Sequence, residues 1–204
     1  MIKEQIPDII VGRLPRYLRT LLLLRETKTT TNSKELGELL GFSAAQIRKD
    51  LSQYGEFGKQ GTGYNIDYLI DSLNRILNTD KNWDILLVGV GQLGQAILNY
   101  PGFLKHGFLV KAAVDNNPEI IGQKFNSCVV QDVRNMKEII TENQIQIAMV
   151  AVPAEKAQEI AEELVEAGIK AILSYAPATL TLPSQIRVEY SDPLISLQHI
   201  TYYL

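Results

Sequence analysis

A G-x-G-x-x-G motif, the residue pattern of a phosphate-binding turn, lies near the middle of the chain. Its members are Gly89, Gly91, Gln92, Leu93 and Gly94. The motif directly follows an apolar run at residues 85–88 and opens a helical pattern, as at a strand-to-helix turn. There the first glycine makes the turn, the second lets a pyrophosphate approach, and the third lets the helix pack on the strand. The helix N-terminus then faces the phosphates, so the sequence predicts a dinucleotide site.

A carboxylate stands where such a site binds the adenosine ribose. Asp115 ends a second apolar run, at residues 110–114, and follows Gly94 by 21 positions. A 2′-phosphate would meet this carboxylate, and residues 116–118 (Asn, Asn, Pro) bring no cation to compensate. The sequence therefore predicts NAD(H), as NADH or NAD+, rather than NADP(H).

Residues that could attach chemistry to this site are scarce. His106 falls in a predicted loop and His199 in a predicted terminal helix, where a surface or interface role is commoner than catalysis. Cys128 lies in an apolar run and is interpreted as a buried strand residue. Paired carboxylates and metal-ligand spacings are absent from the sequence. We therefore predict neither catalytic residues nor a metal site.

The sequence that surrounds the motif predicts an α/β domain. Short, continuous apolar runs alternate with helical patterns after residue 82, which is typical of a parallel sheet covered on both faces. The runs lie at residues 85–88, 110–114, 147–152 and 171–173.

The first 80 residues predict short helices and one hairpin. Asn32 with Glu35, and Ser43 with Gln46, have the spacing of capping boxes, and Gly41 can end the helix between them. Two short helices joined at residues 40–43 are typical of a helix-turn-helix. The glycine-rich segment 55–64 then predicts a hairpin that would serve as a wing.

The helix that follows Ser43 has two contrasting faces at 3.6 residues per turn. Ala44, Ile47, Leu51 and Tyr54 fall on one face; Ala45, Gln46, Arg48, Lys49, Ser52 and Gln53 lie on or beside the other. Arginine and glutamine can read base edges, and lysine and serine can hold phosphates. The wing adds Lys59 and Gln60. An ordinary three-helix module with a solvated charged face is the alternative, and the wing favours DNA binding.

Composition limits the cellular setting. Of the 204 residues, 46% are hydrophobic and 21% charged, as in a globular protein. The N-terminus has no secretory signal, no run is long enough to span a bilayer, and one cysteine rules out an internal disulfide. We expect a cytoplasmic protein with no membrane partner. Residues 1–80 carry a net charge of +1 against −3 overall, so DNA binding must depend on local placement.

Five segments together resemble the Rex family of redox-sensing transcriptional repressors. They are IPDIIVGRLPRYLR, AAQIRKDLSQYG, GKQGTGY, GVGQLGQAILNYPGF and GIKAILSYAP. The resemblance implies a homodimer that binds a palindromic double-stranded operator and releases it when NADH, but not NAD+, binds. It also implies a winged helix-turn-helix domain (1–80), a Rossmann-type parallel-sheet domain (81–190) and a C-terminal helix exchanged with the partner (191–204).

The resemblance further assigns individual residues. It places Gln46, Arg48, Lys49 and Ser52 on the DNA-reading helix, and Arg13 in an arm near the minor groove. Tyr100, Asp192 and Arg19 match a polar trio that links cofactor state to domain arrangement, and Tyr100 is also assigned to the cofactor site. The usual wing arginine position holds Gln60 here, beside Lys59.

The predicted terminal helix supports a dimer independently of the resemblance. Asp192 can cap this helix and Pro193 fits its first turn. Apolar and aromatic residues then occupy most of its circumference up to Leu204, so it needs burial on several sides. A partner subunit would supply that burial.

Two other functions are compatible with the motifs. One is a small NAD(P)-dependent oxidoreductase with an accessory helical domain. The other is a nucleotide- or coenzyme A-binding module that does not bind DNA. An enzyme would turn over its cofactor with a substrate, whereas a sensor binds without turnover. The absence of visible chemistry beside a DNA-binding pattern favours the sensor.

Overall fold

The computed structural model describes residues 6–59 and 63–204. The chain divides into two compact units, one ending at Lys81 and the other starting at Asn82. The first unit is mainly helical with a small sheet, and the second is α/β.

The first unit contains the predicted helices and hairpin. In chain order its elements are α1 (Asp8–Val11), α2 (Leu14–Leu24), β1 (Thr30–Thr31), α3 (Ser33–Leu40), α4 (Ala44–Ser52), β2 (Gly58–Lys59), β3 (Gly63–Asn65) and α5 (Ile66–Leu77). The strands form an antiparallel sheet in the order β1-β3-β2. Helices α3 and α4 are the helix-turn-helix pair, and β2 with β3 is the wing.

The N-caps of α3 and α4 are those that the sequence predicted. Asn32 Oδ1 accepts hydrogen bonds from the backbone N–H groups of Lys34 and Glu35, both at 3.0 Å. Ser43 Oγ accepts from the backbone N–H of Gln46 at 3.1 Å. Each cap satisfies donors that the first turn of a helix leaves unpaired.

The reciprocal half of each predicted capping box is wrong. The Glu35 carboxylate pairs with the Lys28 ammonium and accepts from Thr31 Oγ1 at 2.7 Å. The Gln46 amide donates to Asp50 Oδ1 at 2.6 Å. Charged partners outside the local turn give stronger hydrogen bonds than a neutral backbone N–H, so both side chains turn away from their caps.

Two glycines make the tight turn between α3 and α4. Gly41 has φ 72°, the left-handed conformation that ends a helix. Gly37 is buried, and a Cβ at this position would overlap the carbonyl oxygen of Phe42. The two helices can therefore approach this closely only without a side chain at residue 37.

The core of the first unit joins the inner faces of α2 to α5. Its fully buried members are Leu14, Tyr17, Leu21, Leu36, Ile47, Leu51, Ile66, Leu69, Ile70 and Leu73. Ile47 and Leu51 belong to the predicted inner face of α4, so that prediction is confirmed. Burying this face turns the opposite face of α4 towards solvent.

The second unit is built on one seven-stranded sheet. Its elements are β4 (Trp83–Val88), α6 (Gln92–Asn99), α7 (Gly102–Lys105), β5 (Phe108–Asp115), β6 (Lys124–Phe125), β7 (Cys128–Asp132), a 3-10 turn (Val133–Asn135), α8 (Met136–Asn143), β8 (Ile147–Val150), α9 (Ala154–Glu166), β9 (Ala171–Ser174), β10 (Arg187–Tyr190) and α10 (Pro193–Thr201). The strand order is β10-β9-β8-β4-β5-β7-β6. Every neighbouring pair is parallel except β6 with β7.

The continuous apolar runs reflect burial on both faces of this sheet. Leu86, Val88, Val114 and Val150 contribute to the core on one face, with α8 and α9. Ile85, Leu87, Ala113, Cys128 and Met149 contribute to the core on the other, with α6. Successive strand residues alternate between the two cores, so neither can be polar. The predicted parallel sheet and the buried position of Cys128 are both confirmed.

The sheet order creates a crevice at its carboxyl edge. The chain runs from β4 outward through β5 to β7, then returns to β8 on the other side of β4. The carboxyl ends of β4, β5 and β8 therefore meet where the direction of winding reverses. This is the position at which doubly wound sheets bind ligands.

Helix α10 is a terminal element that contributes no buried residue within the described chain. Within residues 6–59 and 63–204, no helix has both the length and the apolar character needed to cross a bilayer.

Replacing Gly37 by alanine should destabilise the first unit. The added methyl group meets a backbone oxygen that cannot rotate away, and such overpacking typically costs about 1–3 kcal/mol. Urea unfolding followed by circular dichroism measures the effect, with Glu38→Ala as an exposed control on the same helix. Equal midpoints for the two variants would contradict the tight-turn assignment.

Candidate functional site

The glycine motif forms the turn between β4 and α6. Gly89 has φ 92°, and a Cβ there would overlap the carbonyl oxygen of Ala151. At Gly94 a Cβ would overlap the carbonyl oxygen of Gly89, so this glycine lets α6 pack against the turn. Gly91 is the N-cap of α6, and nothing lies within 4 Å of a Cβ built on it. The turn is thus closed at Gly89 and Gly94 and open at Gly91, the position assigned to a pyrophosphate.

Asp115 ties this turn to the end of β5. Its Oδ2 accepts from the backbone N–H of Val90 at 2.6 Å, and its Oδ1 accepts from the backbone N–H of Asn117 at 2.8 Å. The sequence indicated only the ribose contact, whereas the structure adds this structural one. Each carboxylate oxygen accepts more than one hydrogen bond, so Asp115 keeps capacity for ribose hydroxyls.

A cavity of about 420 Å³ lies at the carboxyl ends of β4, β5 and β8. Gly89, Gly91 and Asp115 contribute to its wall, together with Val88, Asn116, Asn117, Ile120, Val133, Ala151, Val152, Pro153, Lys156, Glu159, Ile160 and Glu163. Apolar side chains beside a carboxylate and a glycine turn suit the adenosine end of a dinucleotide. The structure therefore brings Gly89, Gly91 and Asp115 to one cavity, whereas Gly94 supports the turn from behind.

The α9 residues of this wall were missed by sequence reasoning. Lys156, Glu159 and Glu163 lie in the helix that follows β8. The signal was available, because the helix after the strand beside β4 must border the same crevice.

The remaining residues assigned to the cofactor lie along α6. Gln92 and Leu93 form its first turn, and the Leu93 side chain is partly exposed. Tyr100 is the C-cap of the helix and is 59% exposed. Its ring packs edge-on against that of Phe103, with the two ring centroids 5.1 Å apart. None of the three borders the described cavity, and their contact with a nucleotide stays a prediction.

The predicted trio is divided between the two units. Arg19 is exposed on α2 in the first unit, whereas Tyr100 and Asp192 belong to the second. Asp192 is the N-cap of α10, as predicted, and its Oδ1 accepts from the backbone N–H of Leu194 at 2.8 Å. A contact among the three side chains stays a prediction.

The outer face of α4 carries the predicted DNA-facing side chains. Arg48, Lys49 and Ser52 are exposed. Arg48 Nη1 donates to Ser33 Oγ at 2.9 Å, which holds the guanidinium beside the start of α3. Ser52 Oγ donates to the carbonyl oxygen of Lys49 at 2.8 Å. Lys59 lies in β2 of the wing, and Gln60 falls outside the described residues.

A buried carboxylate, Asp50, lies on the inner side of α4. Its side chain is fully buried and receives four hydrogen bonds. Arg13 donates through Nε at 2.6 Å and Nη2 at 2.8 Å, Tyr17 through its hydroxyl at 2.6 Å, and Gln46 through Nε2 at 2.6 Å. Asp50 thereby joins α4 to α2 and to the residue that precedes α2.

The hydrogen bonds keep this carboxylate charged. Burial alone would raise the pKa of Asp50, but the hydrogen bonds from Arg13, Tyr17 and Gln46 outweigh it and hold the pKa below its ordinary value. Burial and the hydrogen bond to Asp50 raise the pKa of Tyr17, so its phenol stays a donor. The site is therefore an ion pair with two neutral donors.

This arrangement qualifies the predicted roles of Arg13 and Gln46. The family resemblance implied that both face DNA, whereas in the structure both donate hydrogen bonds to Asp50. Arg13 uses two of its five N–H donors, and Gln46 uses one of its two amide N–H groups. Both retain donors for DNA, and that contact stays a prediction. The sequence signal that was missed is Asp50 itself, a carboxylate one helical turn after Ile47 and therefore on the side of α4 that packs inward.

Other reactive residues of the described chain do not form a further centre. Burial raises the pKa of the Cys128 thiol, which favours the protonated form over a thiolate nucleophile. In the described ranges, no group of three histidine, cysteine or carboxylate side chains lies together as metal ligands.

Comparisons with known proteins cover both units. A family described as a putative DNA-binding protein N-terminus matches residues 5–52, and a CoA binding domain family matches residues 80–178. The redox-sensing transcriptional repressor Rex of Chloroflexus aggregans is 48% identical over 202 residues, which are 98% of this chain and 95% of that protein. The protein of the same name from Brevibacillus brevis is 42% identical, covering 98% of both chains. This chain belongs to the Rex family.

Solved Rex-family structures share its fold. RSP in complex with β-NAD+ and operator DNA has a TM-score of 0.92 at 40% identity, over 98% of this chain and 92% of that one. RSP in complex with β-NADH has a TM-score of 0.89 at 38% identity, over 97% and 93%. The predicted class, an N-terminal winged helix-turn-helix followed by a Rossmann-type sheet, is confirmed.

Replacing Asp50 by asparagine should strongly destabilise this Rex-family chain at neutral pH. The change leaves the Arg13 charge without its buried partner, and breaking such a pair typically costs about 3–5 kcal/mol. The folded pKa of Asp50 lies below the unfolded value of about 3.9. Its stabilisation is therefore present above that pH and is lost as the pH falls through the folded value.

Urea unfolding at several pH values tests this assignment. The difference between wild type and Asp50→Asn should be full at pH 7 and shrink below about pH 4. Asp67→Asn, on the exposed side of α5, is a matched control. A difference that stays constant through the acid range would show that Asp50 does not act as a carboxylate.

Proposed function

We propose that this Rex-family chain is a redox-sensing transcriptional repressor, which binds operator DNA as a homodimer and releases it when NADH binds. The observation that carries the proposal is the presence, in one chain, of an open glycine turn tied to Asp115 and a helix-turn-helix with a cationic outer face. We assign residues 1–80 to DNA, 81–190 to NAD(H) and 191–204 to the partner subunit.

The nucleotide site is assigned to the crevice of the sheet. Gly89 and Gly94 shape the turn, Gly91 leaves room for the pyrophosphate, and Asp115 accepts from the ribose hydroxyls. NADH and NAD+ differ in the charge of the nicotinamide ring, and this difference is what a sensor must detect. The solved RSP complexes with β-NADH and β-NAD+ support this ligand class.

The DNA interface is assigned to α4 and the wing. Arg48 and Gln46 would read base edges, while Lys49 and Ser52 would hold phosphates. Arg13 would reach the minor groove with the N–H donors that Asp50 leaves unused, and Lys59 with Gln60 would follow the backbone from the wing. The RSP complex with operator DNA supports a DNA ligand.

The homodimer is assigned to an exchange of α10. Its apolar residues are largely exposed within one subunit, with Leu194, Ile195, Leu197 and Ile200 each 53–61% exposed. A partner subunit that covers them removes this apolar area from water.

We also propose a cytoplasmic location, because a DNA-binding repressor acts where the DNA is.

The switch is assigned to Tyr100, Asp192 and Arg19. With NAD+ or no nucleotide, the Asp192 carboxylate accepts from Tyr100. With NADH, a closed form is favoured in which Tyr100 moves and Asp192 pairs with Arg19. Tyr100 and Arg19 are both exposed residues, which supports their taking part in such an exchange.

An NAD(P)-dependent oxidoreductase is the less supported function. The similar proteins are named transcriptional repressors, and they match nearly the whole chain. We propose that the protein binds NADH without turnover.

A gel-shift titration on a palindromic candidate operator tests the proposal. The protein should retard the DNA, NADH should release it, and NAD+ should not. Tyr100→Phe should bind the operator, but a higher NADH concentration should be needed to release it. Failure of the wild type to bind any such duplex, or release by NAD+ as readily as by NADH, would contradict the proposed function.

Lys49→Ala should weaken operator binding on every sequence and lower its dependence on salt. Loss of one phosphate contact reduces the slope of log K against log salt by about 0.9. Fluorescence anisotropy at several salt concentrations measures this slope. Lys34→Ala removes the same charge from exposed α3 and serves as control. Identical slopes for both variants and wild type would remove Lys49 from the interface.

Asp115→Ala should weaken NADH binding by roughly 1.5–3 kcal/mol, the value of a hydrogen bond to a charged group. The variant also loses the hydrogen bond from the Val90 N–H, which lowers its stability. Its melting temperature is therefore measured beside that of Asn117→Ala, which keeps this hydrogen bond. Calorimetric titration measures the affinity. Unchanged NADH affinity in a folded Asp115→Ala protein would place the ribose elsewhere.

A further inference from the structure

The cavity at the carboxyl ends of β4, β5 and β8 carries more charge than Asp115 alone. Lys156, Glu159 and Glu163 also line it. Their spacing of three and four residues puts them on one face of α9. With Asp115, the wall holds three carboxylates and one ammonium, a net charge of −2.

The ammonium of this wall is already paired. Lys156 Nζ lies 2.8 Å from Glu159 Oε2. The hydrogen bond that Lys156 donates to Glu159 raises the pKa of Lys156, and the charges of Glu159 and Glu163 add to the effect. Both partners are largely exposed, so the pair adds little to folding stability. The pair acts on the charge of the cavity wall, because it keeps the Lys156 ammonium beside the Glu159 carboxylate.

Lys156 bears on the preference for NAD(H) over NADP(H). The sequence indicated that NADP(H) is rejected because residues 116–118 bring no cation. The structure places a lysine from α9 on the same cavity, so a cation is within the site after all. Rejection of a 2′-phosphate then requires that this lysine be neutralised.

We propose that Glu159 and Glu163 are specificity-determining residues, which reject the 2′-phosphate of NADP(H) by neutralising Lys156 and keeping the cavity wall negative. The inference rests on the proposed function, that this cavity holds the adenosine end of NAD(H). A 2′-phosphate brings a charge of about −1.5 to −2 to a wall of the same sign. The ribose of NAD(H) brings neutral hydroxyls to this position. The pyrophosphate charge is common to NADH and NADPH, so its effect cancels in the ratio of their affinities.

Calorimetric titration of NADH and NADPH against the full-length protein tests the proposal. Glu159→Gln and Glu163→Gln should each shift the NADPH-to-NADH affinity ratio towards NADPH by at least roughly fivefold, the order of effect expected when one charge near a phosphate is removed in water. Glu159→Gln should have the larger effect, since it also frees Lys156. Glu166→Gln removes the same charge from α9 outside the cavity wall and is the matched control.

Two further measurements separate this role from a structural one. In a Lys156→Gln background, Glu159→Gln should lose the part of its gain that exceeds that of Glu163→Gln, whereas Glu163→Gln should keep its own; a double-mutant cycle measures this coupling. The gain should also shrink between about 20 mM and 300 mM salt, because the Debye length falls below the separation of the charges. A steric or folding effect would show neither dependence.

The outcomes distinguish this inference from the proposed function. If wild type binds NADH, and neither glutamate variant shifts the ratio more than Glu166→Gln, the inference is overturned while the sensor function stands. If wild type binds neither dinucleotide, both fail. Equal melting temperatures across the variants establish that each is folded.

Discussion

The turn between β4 and α6 is the constraint around which the second unit is arranged. Gly89 adopts a left-handed backbone against the carbonyl of Ala151, and α6 packs on the carbonyl of Gly89 through Gly94. The Asp115 carboxylate then holds Val90 from the neighbouring strand. Three strand ends are thereby fixed beside one another, and contacts within the protein itself shape the crevice between them. Preorganisation of this kind lowers the entropy that binding must overcome.

The first unit depends on a carboxylate in a comparable way. Asp50 is buried and collects donors from α2, from α4 and from the residue that precedes α2. A buried charge without these partners would be costly, so the network admits few alternative arrangements of the helices. It lies directly behind the outer face of α4. The residues proposed to read DNA are thus carried by a helix whose inner side is held by charge as well as by apolar packing.

Charge is distributed differently at the two proposed sites. The outer face of α4 presents Arg48 and Lys49, as contact with a polyanion requires. The wall of the proposed nucleotide cavity has a net negative charge. It therefore binds its ligand through hydrogen bonds and close contact with the backbone, and not through a positively charged wall. The small net charge of the chain conceals this contrast, because the cationic face is local.

The sequence by itself determined the elements and the motif-bearing residues. Apolar periodicity, N-cap residues and glycine spacing depend on neighbours along the chain, and the caps Asn32, Ser43 and Asp192, the parallel strands and the glycine turn all followed from them. Only the tertiary structure decided which side chains meet across elements. Arg13 and Asp50 are 37 residues apart, Val90 and Asp115 are 25 apart, and Lys156 faces the cavity from a third element. Hydrogen-bond partners are chosen by distance in space and by the low dielectric of the interior, and neither quantity is encoded in local spacing.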